Sequence, residues 1–184
     1  MIIAPSHTQE LLALLRIYYP GWAGFDDPRF VEDEVTYKHE TVRKAQELLN
    51  QDEFERLINA REYDEILSRL ETVGKGNNLL WLQVPRSGDL GILYQPDLNK
   101  GEFAGVIYDL LYGQGTTPDR LDRYAAYCSE QALPNKWTFP TYLLFMLYPD
   151  REMFVKPTAA QWLFQFVDQK DRWAPRPNGA TYAS

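Results

Sequence analysis

A chain of 184 residues that is 45% hydrophobic and 14% aromatic can bury a core of its own without a metal or disulfide, and wholesale disorder is excluded. Its net charge of −7 sits mostly at one end: residues 1–75 hold 15 acidic against 9 basic side chains, residues 76–184 hold 11 against 10. An acidic half repels phosphate backbones, which disfavours nucleic acid as a partner. A single cysteine, no charged-then-apolar leader and no apolar run of about 18 residues point to a cytoplasmic protein that makes no membrane contact.

The pattern predicts a first helix from Ser6, whose hydroxyl and Gln9 form a reciprocal cap, with Leu11, Leu12, Leu14, Leu15 and Tyr18 on its apolar face and Pro20-Gly21 as its stop. Asp27-Pro28 starts a second helix, because proline loses nothing at the first position, and the helical period runs on to Asn50. Asp52 is expected to cap a short helix bearing Phe54, Leu57 and Ile58, with another over roughly 62–72. Gly74 to Asn78 reads as a flexible connector. Leu79–Val84 and Ile92–Tyr94 are the candidate strands of a hairpin across Pro85–Gly91, although no tight two-residue turn signature joins them.

Helical spacing returns from Asn99 to Tyr112, from Thr117-Pro118 through Cys128, over 140–148 and over 158–167. The run from Lys136 to Val167 is too rich in aromatic and aliphatic residues for a surface element and too short for a membrane span, so it belongs at the centre of the core. After Asp168 the chain turns charged and then proline-rich. These elements predict a mainly α protein: a single globular helical domain over 1–168 with at most a short β-hairpin, and 169–184 as a linker or irregular tail. The expected core is Leu11, Leu15, Phe30, Leu48, Leu80, Leu110, Tyr124, Leu144, Phe145, Phe154 and Phe164.

No catalytic signature, metal-ligand set or cofactor motif emerges. Gly74-Lys75-Gly76 lacks the spacing of a phosphate loop, and the acids Asp26 to Glu34 lack that of a calcium loop. His7 and His39 each stand without a second nitrogen or thiol ligand nearby, and Cys128 lies on an apolar face that disfavours a thiolate. Residues 117–148 have the outline of a helix-turn-helix, but the second helix reads as core rather than as a base-reading surface. The candidate binding residues are Lys136, Trp137, Arg151 and Lys156, cationic or amphipathic groups on turns between aromatic helices. Arg151 and Lys156 can hold a phosphate or carboxylate where the helix near Thr158 presents free amides; the plain alternative is that they neutralise helix ends in solvent.

The order of several pieces resembles a group of uncharacterised bacterial proteins: Phe25–Phe30, Glu34 and Tyr37-Lys38; Gly76-Asn77-Asn78-Leu79-Leu80-Trp81; Lys136-Trp137 and Thr141; Pro149-Asp150-Arg151 and Met153 to Thr158; and Pro177-Asn178 with Thr181-Tyr182. The chain also looks like the amino-terminal regions attached to restriction-type, nucleotide-dependent machines of the McrB kind, which recognise targets beside a separate motor. The motor's phosphate loop is missing here. The group carries an aromatic after the Pro-Asn pair, where this chain has Gly179, and continues beyond the point where this chain ends at Ser184. The resemblance therefore implies a fragment or a shortened member, without any activity of a later segment.

Together these readings favour a non-catalytic recognition or assembly module of a bacterial intracellular system, with defence against foreign DNA as the setting that the resemblance implies and another protein as the expected partner. One alternative is an enzyme with a dispersed site, in which Arg151 and Lys156 clamp an anion and Cys128 or His39 does the chemistry. Another is a nucleic-acid binder that gathers Arg86, Lys100, Arg120, Arg123, Lys136 and Lys156 on one face.

Overall fold

The computed structural model describes residues 3–82, 84 and 86–184. These form ten α-helices and two 3-10 turns, with no strand among the described residues. The helices are α1 Pro5–Tyr18, α2 Pro28–Glu34, α3 Thr36–Leu48, α4 Gln51–Asn59, α5 Tyr63–Gly74, α6 Lys100–Tyr112, α7 Thr117–Glu130, α8 Thr138–Leu147, α9 Pro157–Phe166 and α10 Gly179–Tyr182; the 3-10 turns are Gly91–Tyr94 and Lys170–Arg172. The mainly α expectation holds, as one compact helical domain. No helix among the described residues is long and apolar enough to cross a membrane.

Helix starts follow local hydrogen-bond chemistry. Asp27 Oδ1 accepts from the Arg29 amide at 3.0 Å ahead of Pro28, and Asn99 Oδ1 accepts from the Glu102 amide at 3.3 Å. Thr116 and Asp119 cap α7 reciprocally. Two expected caps are displaced. Helix α1 begins at Pro5 behind Ala4, with no side-chain cap, because proline needs no donor there. Helix α4 is capped by Asn50, whose Oδ1 accepts from the Glu53 amide at 3.0 Å, and not by Asp52. The expected continuous helix from Asp27 to Asn50 is interrupted at Val35, where the Thr36 hydroxyl donates back to the Val31 carbonyl at 3.0 Å. A threonine hydroxyl competes in this way with the backbone ladder.

Helix α6 is the central strut, packing against α4, α5, α7 and α8. Phe103, Ala104, Ile107, Leu110 and Leu111 lie along it at helical spacing and are all buried. Helix α8 is buried on almost every side, as its unbroken apolar run requires, with only Phe145 partly open. Each fully buried Leu, Ile or Phe contributes roughly 1.5–3 kcal/mol. Polar groups inside this core are anchored on carbonyls. Tyr142 donates to Val73 O at 2.9 Å, and Leu111 O accepts from both Tyr148 at 3.0 Å and Arg120 Nη1 at 2.9 Å. The one glycine inside α6 away from its ends, Gly105, is exposed and would bring an added Cβ against nothing within 4 Å. Gly105→Ala is therefore expected to raise stability by about 1 kcal/mol through helix propensity alone, read as a higher urea midpoint at unchanged slope.

Three further expectations are corrected. Among the described residues of 79–94 no strand of the expected hairpin forms, and Ile92–Tyr94 lies in a 3-10 turn; Gln83 and Pro85, also within that expectation, fall outside the described residues. Instead Asp89 organises the loop, taking the Trp81 amide at 2.7 Å and the Thr138 hydroxyl at 2.8 Å while its own amide donates to Trp81 O. Gly74 is no flexible hinge, since it is buried and an added Cβ would meet Leu90 Cδ2 at 2.6 Å. The segment after Asp168, expected as a linker or irregular tail, folds back on the domain: α10 packs on α7, the Gly179 amide donates to Asp122 Oδ1 at 2.7 Å, and Trp173 stacks on Trp137. Of the expected core, Leu80, Leu110, Tyr124, Leu144 and Phe164 are buried, whereas Leu11, Leu15, Phe30, Leu48, Phe145 and Phe154 are only partly so.

Candidate functional site

Helix α1 has no fully buried residue, and beside it lies a groove of about 1090 Å³. Leu15 and Tyr18 of α1 with Tyr19 just after it form one wall, Phe30 of α2 and Val42 of α3 the floor, and Phe145 with Pro149 the far wall. Tyr19 and Phe30 meet edge to face at 5.6 Å, and Phe25 caps Phe30 at 5.5 Å. Tyr18 on the wall is 80% exposed, and outside the groove the apolar surface continues with Ile17 71% and Phe25 64% exposed.

The rim is charged, and its cations are already engaged. Lys38 pairs with Glu34 at 3.1 Å and Arg43 with Glu47 at 3.5 Å. Burial pulls the Lys38 ammonium down, but its bonds to Tyr37 and Glu34 outweigh this and hold it above the usual lysine value. The Tyr19 hydroxyl is pushed up by partial burial and by the Asp33 and Glu34 carboxylates. Asp33 and Asp150, also on the rim, enter no ion pair among the described residues.

Past Pro149 the groove runs into a shallower hollow that ends at Arg151 and Glu152, and these two residues also line a polar pocket of about 430 Å³. The pocket lies between the Gly113–Thr117 turn and the start of the 148–152 loop. Arg120 and Glu152 on its wall are 7% and 9% exposed. They are joined through one hydroxyl: Arg120 Nη2 donates to Thr117 Oγ1 at 2.8 Å, and that hydroxyl donates to Glu152 Oε1 at 2.7 Å. The second Glu152 oxygen accepts from the Tyr182 hydroxyl at 2.8 Å, so the same carboxylate ties α7 to α10.

The four candidate binding residues do not converge. Trp137 is a core residue, 1% exposed, whose Nε1 donates to Ala174 O at 2.8 Å. Lys136 turns its ammonium onto the Ser87 and Gly88 carbonyls. Arg151 is exposed with its guanidinium 4.1 Å from the centre of the Tyr148 ring, at the mouth of the polar pocket. Lys156 is exposed at the start of α9 and lines neither concavity. Of the six cations of the nucleic-acid reading, Lys100 is held by Asp64 and Arg123 by Asp109, Lys136 is held as described, and Arg120 is buried.

Sequence reasoning named Arg120 only among the cations of the nucleic-acid alternative and not as a partner of Arg151, and it expected Leu11 and Leu15 of the first helix in the core. Its own spacing carried a signal for the first, because Thr117, Arg120 and Tyr124 recur on one face of α7. The reactive-group candidates lie apart. Burial pushes the Cys128 thiol up to about 11 in the core, whereas His39 is exposed on the groove wall and His7 rests against Phe166. No three His, Cys, Asp or Glu side chains form a metal-binding group among the described residues. Comparison with protein-family models, curated proteins and solved structures returns no match.

Proposed function

We propose that the chain is a recognition or assembly module, and that its groove takes an apolar, basic-flanked helical segment of another protein. The observation that carries this reading is the open apolar groove between α1, α3 and the end of α8, with Tyr18 exposed on its wall and continued by the exposed Ile17 and Phe25. An apolar surface of this extent left open in water marks an interaction site, and helix-in-groove docking uses such a floor. The acids Asp33 and Asp150 on the rim enter no ion pair among the described residues, and Asp33 lies in residues 1–75, whose 15 acidic and 9 basic side chains give −6; both favour a partner with cations beside its apolar face.

The test is capture from a lysate of the native host by protein tagged at its amino end, run beside a Tyr18→Asp variant. Tyr18 is 80% exposed, so the variant keeps its fold. A stoichiometric protein held by the wild type, lost from the variant and released by added salt is the expected result. A protein captured equally by both forms, or bait alone, or a second copy of the chain in the groove overturns the reading. The identity of the partner also decides the setting: a component of a bacterial defence system would place the module there.

A further inference from the structure

The polar pocket is independent of the groove reading and has a charge surplus. Arg120 is the one arginine or lysine buried among the described residues, and no carboxylate oxygen lies within 4.0 Å of it or of Arg151. Glu152 supplies a single negative charge, and both its oxygens are occupied by the Thr117 and Tyr182 hydroxyls. Two guanidinium groups against one carboxylate leave one positive charge over, in a protein whose net charge is −7. Arg120 Nε is buried with no partner, and a buried cation without a matching anion is costly. Tying the Leu111 carbonyl to Thr117 accounts for Nη1 and Nη2 of Arg120, but not for Nε, for Arg151 or for the open volume beside them.

We propose that this pocket is an oxyanion site, which takes one carboxylate or phosphate group between Arg120 and Arg151. Arg151 is pre-set for the task, because its contact with the Tyr148 ring, 4.1 Å from the ring centre, holds the guanidinium at the mouth, and its five N–H groups exceed what that contact can engage. Gly113 and Gly115 face the same opening without side chains, and Gly115 holds a φ of +90° that other residues resist. The clamp thus pairs Arg151 with Arg120, where the sequence pattern pairs it with Lys156.

Inorganic phosphate and acetate, each titrated at constant ionic strength and followed by amide chemical shifts, test the site in the wild type and in Arg151→Ala and Lys156→Ala. Both substituted side chains are exposed, so both variants fold. The expected result is saturable shifts centred on Gly115, Thr116 and Thr117, weakened by about tenfold or more in Arg151→Ala and unchanged in Lys156→Ala. Tighter binding of phosphate identifies a phosphate group as the natural feature, and acetate binding at least as tight identifies a carboxylate. Shifts that never saturate, that centre on Lys156, or that are equal in Arg151→Ala overturn the proposal. A Tyr18→Asp protein that still binds phosphate separates this site from the groove.

Discussion

Trp137→Ala is expected to lower stability by about 3–5 kcal/mol, the range for removing a large aromatic side chain from a well-packed core. Three independent contributions meet at this residue. Its ring is 1% exposed within the core, it stacks on Trp173 at 5.7 Å, and its indole N–H donates to Ala174 O at 2.8 Å. Trp173 and Ala174 belong to the returning tail, so the substitution opens a cavity and also loosens 169–184. The loss is measured as a shift in the urea midpoint, and limited proteolysis should show cleavage after Asp168 ahead of global unfolding. Trp137→Phe keeps most of the stack but not the hydrogen bond, and falls between the two. A loss under about 1 kcal/mol in Trp137→Ala, below what any filled site of this kind gives up, would show that the tail is not held here.

Glu152→Ala is the second large effect, expected at about 3 kcal/mol, the lower end of the range for removing one partner of a buried charge pair. The hydroxyl of Thr117 stands between this carboxylate and Arg120, which sets the estimate at that end. Without Glu152 the Thr117 hydroxyl loses its acceptor, the Tyr182 hydroxyl keeps only the longer bond to Met153 O, and Arg120 keeps its burial with no counter-charge. Glu152→Gln retains an acceptor and should recover part of the loss. Tyr182→Phe removes the bond to Glu152 together with the two that the hydroxyl makes to the Met153 backbone, leaves the charges in place, and costs about 1–2 kcal/mol. Chemical denaturation of the three variants reads the order directly, and equal losses in Glu152→Ala and Tyr182→Phe would show that the charge of Arg120 is balanced by something other than Glu152. If an oxyanion fills the pocket, added phosphate restores stability to Glu152→Ala more than to the wild type, by mass action.

The helices were legible because local rules decide them. Asp27-Pro28, Asn99, Gly113 and Thr117-Pro118 mark ends through capping and proline chemistry that acts within a few residues. The helical period over 99–112 placed Leu110 in the core, and the density of α8 told that it lies inside the protein. The break at Val35 was not legible: the Val31 carbonyl accepts both the Val35 amide and the Thr36 hydroxyl there, and the apolar period runs through it unchanged. Nor was the hairpin excluded: a single carboxylate, Asp89, supplies the partners that a second strand would have supplied.

What the sequence by itself determined is the helical class, the acidic first half and which helices are richest in core residues, since composition and periodicity are properties of short stretches. Only the tertiary structure decided which apolar faces find a partner. Leu11 and Leu15 have the same spacing as the residues of α6, yet α1 meets no neighbour that closes over it, and the outcome is a groove in place of core. The return of 169–184 rests on Trp137, Asp122 and Glu152, residues that lie 30 or more positions away. Arg120 and Arg151 likewise stand 31 positions apart and face one pocket only because α7 and the 148–152 loop are packed against the end of α6. Burial and convergence depend on surfaces that distant segments bring together, and the local pattern of a chain does not specify those surfaces.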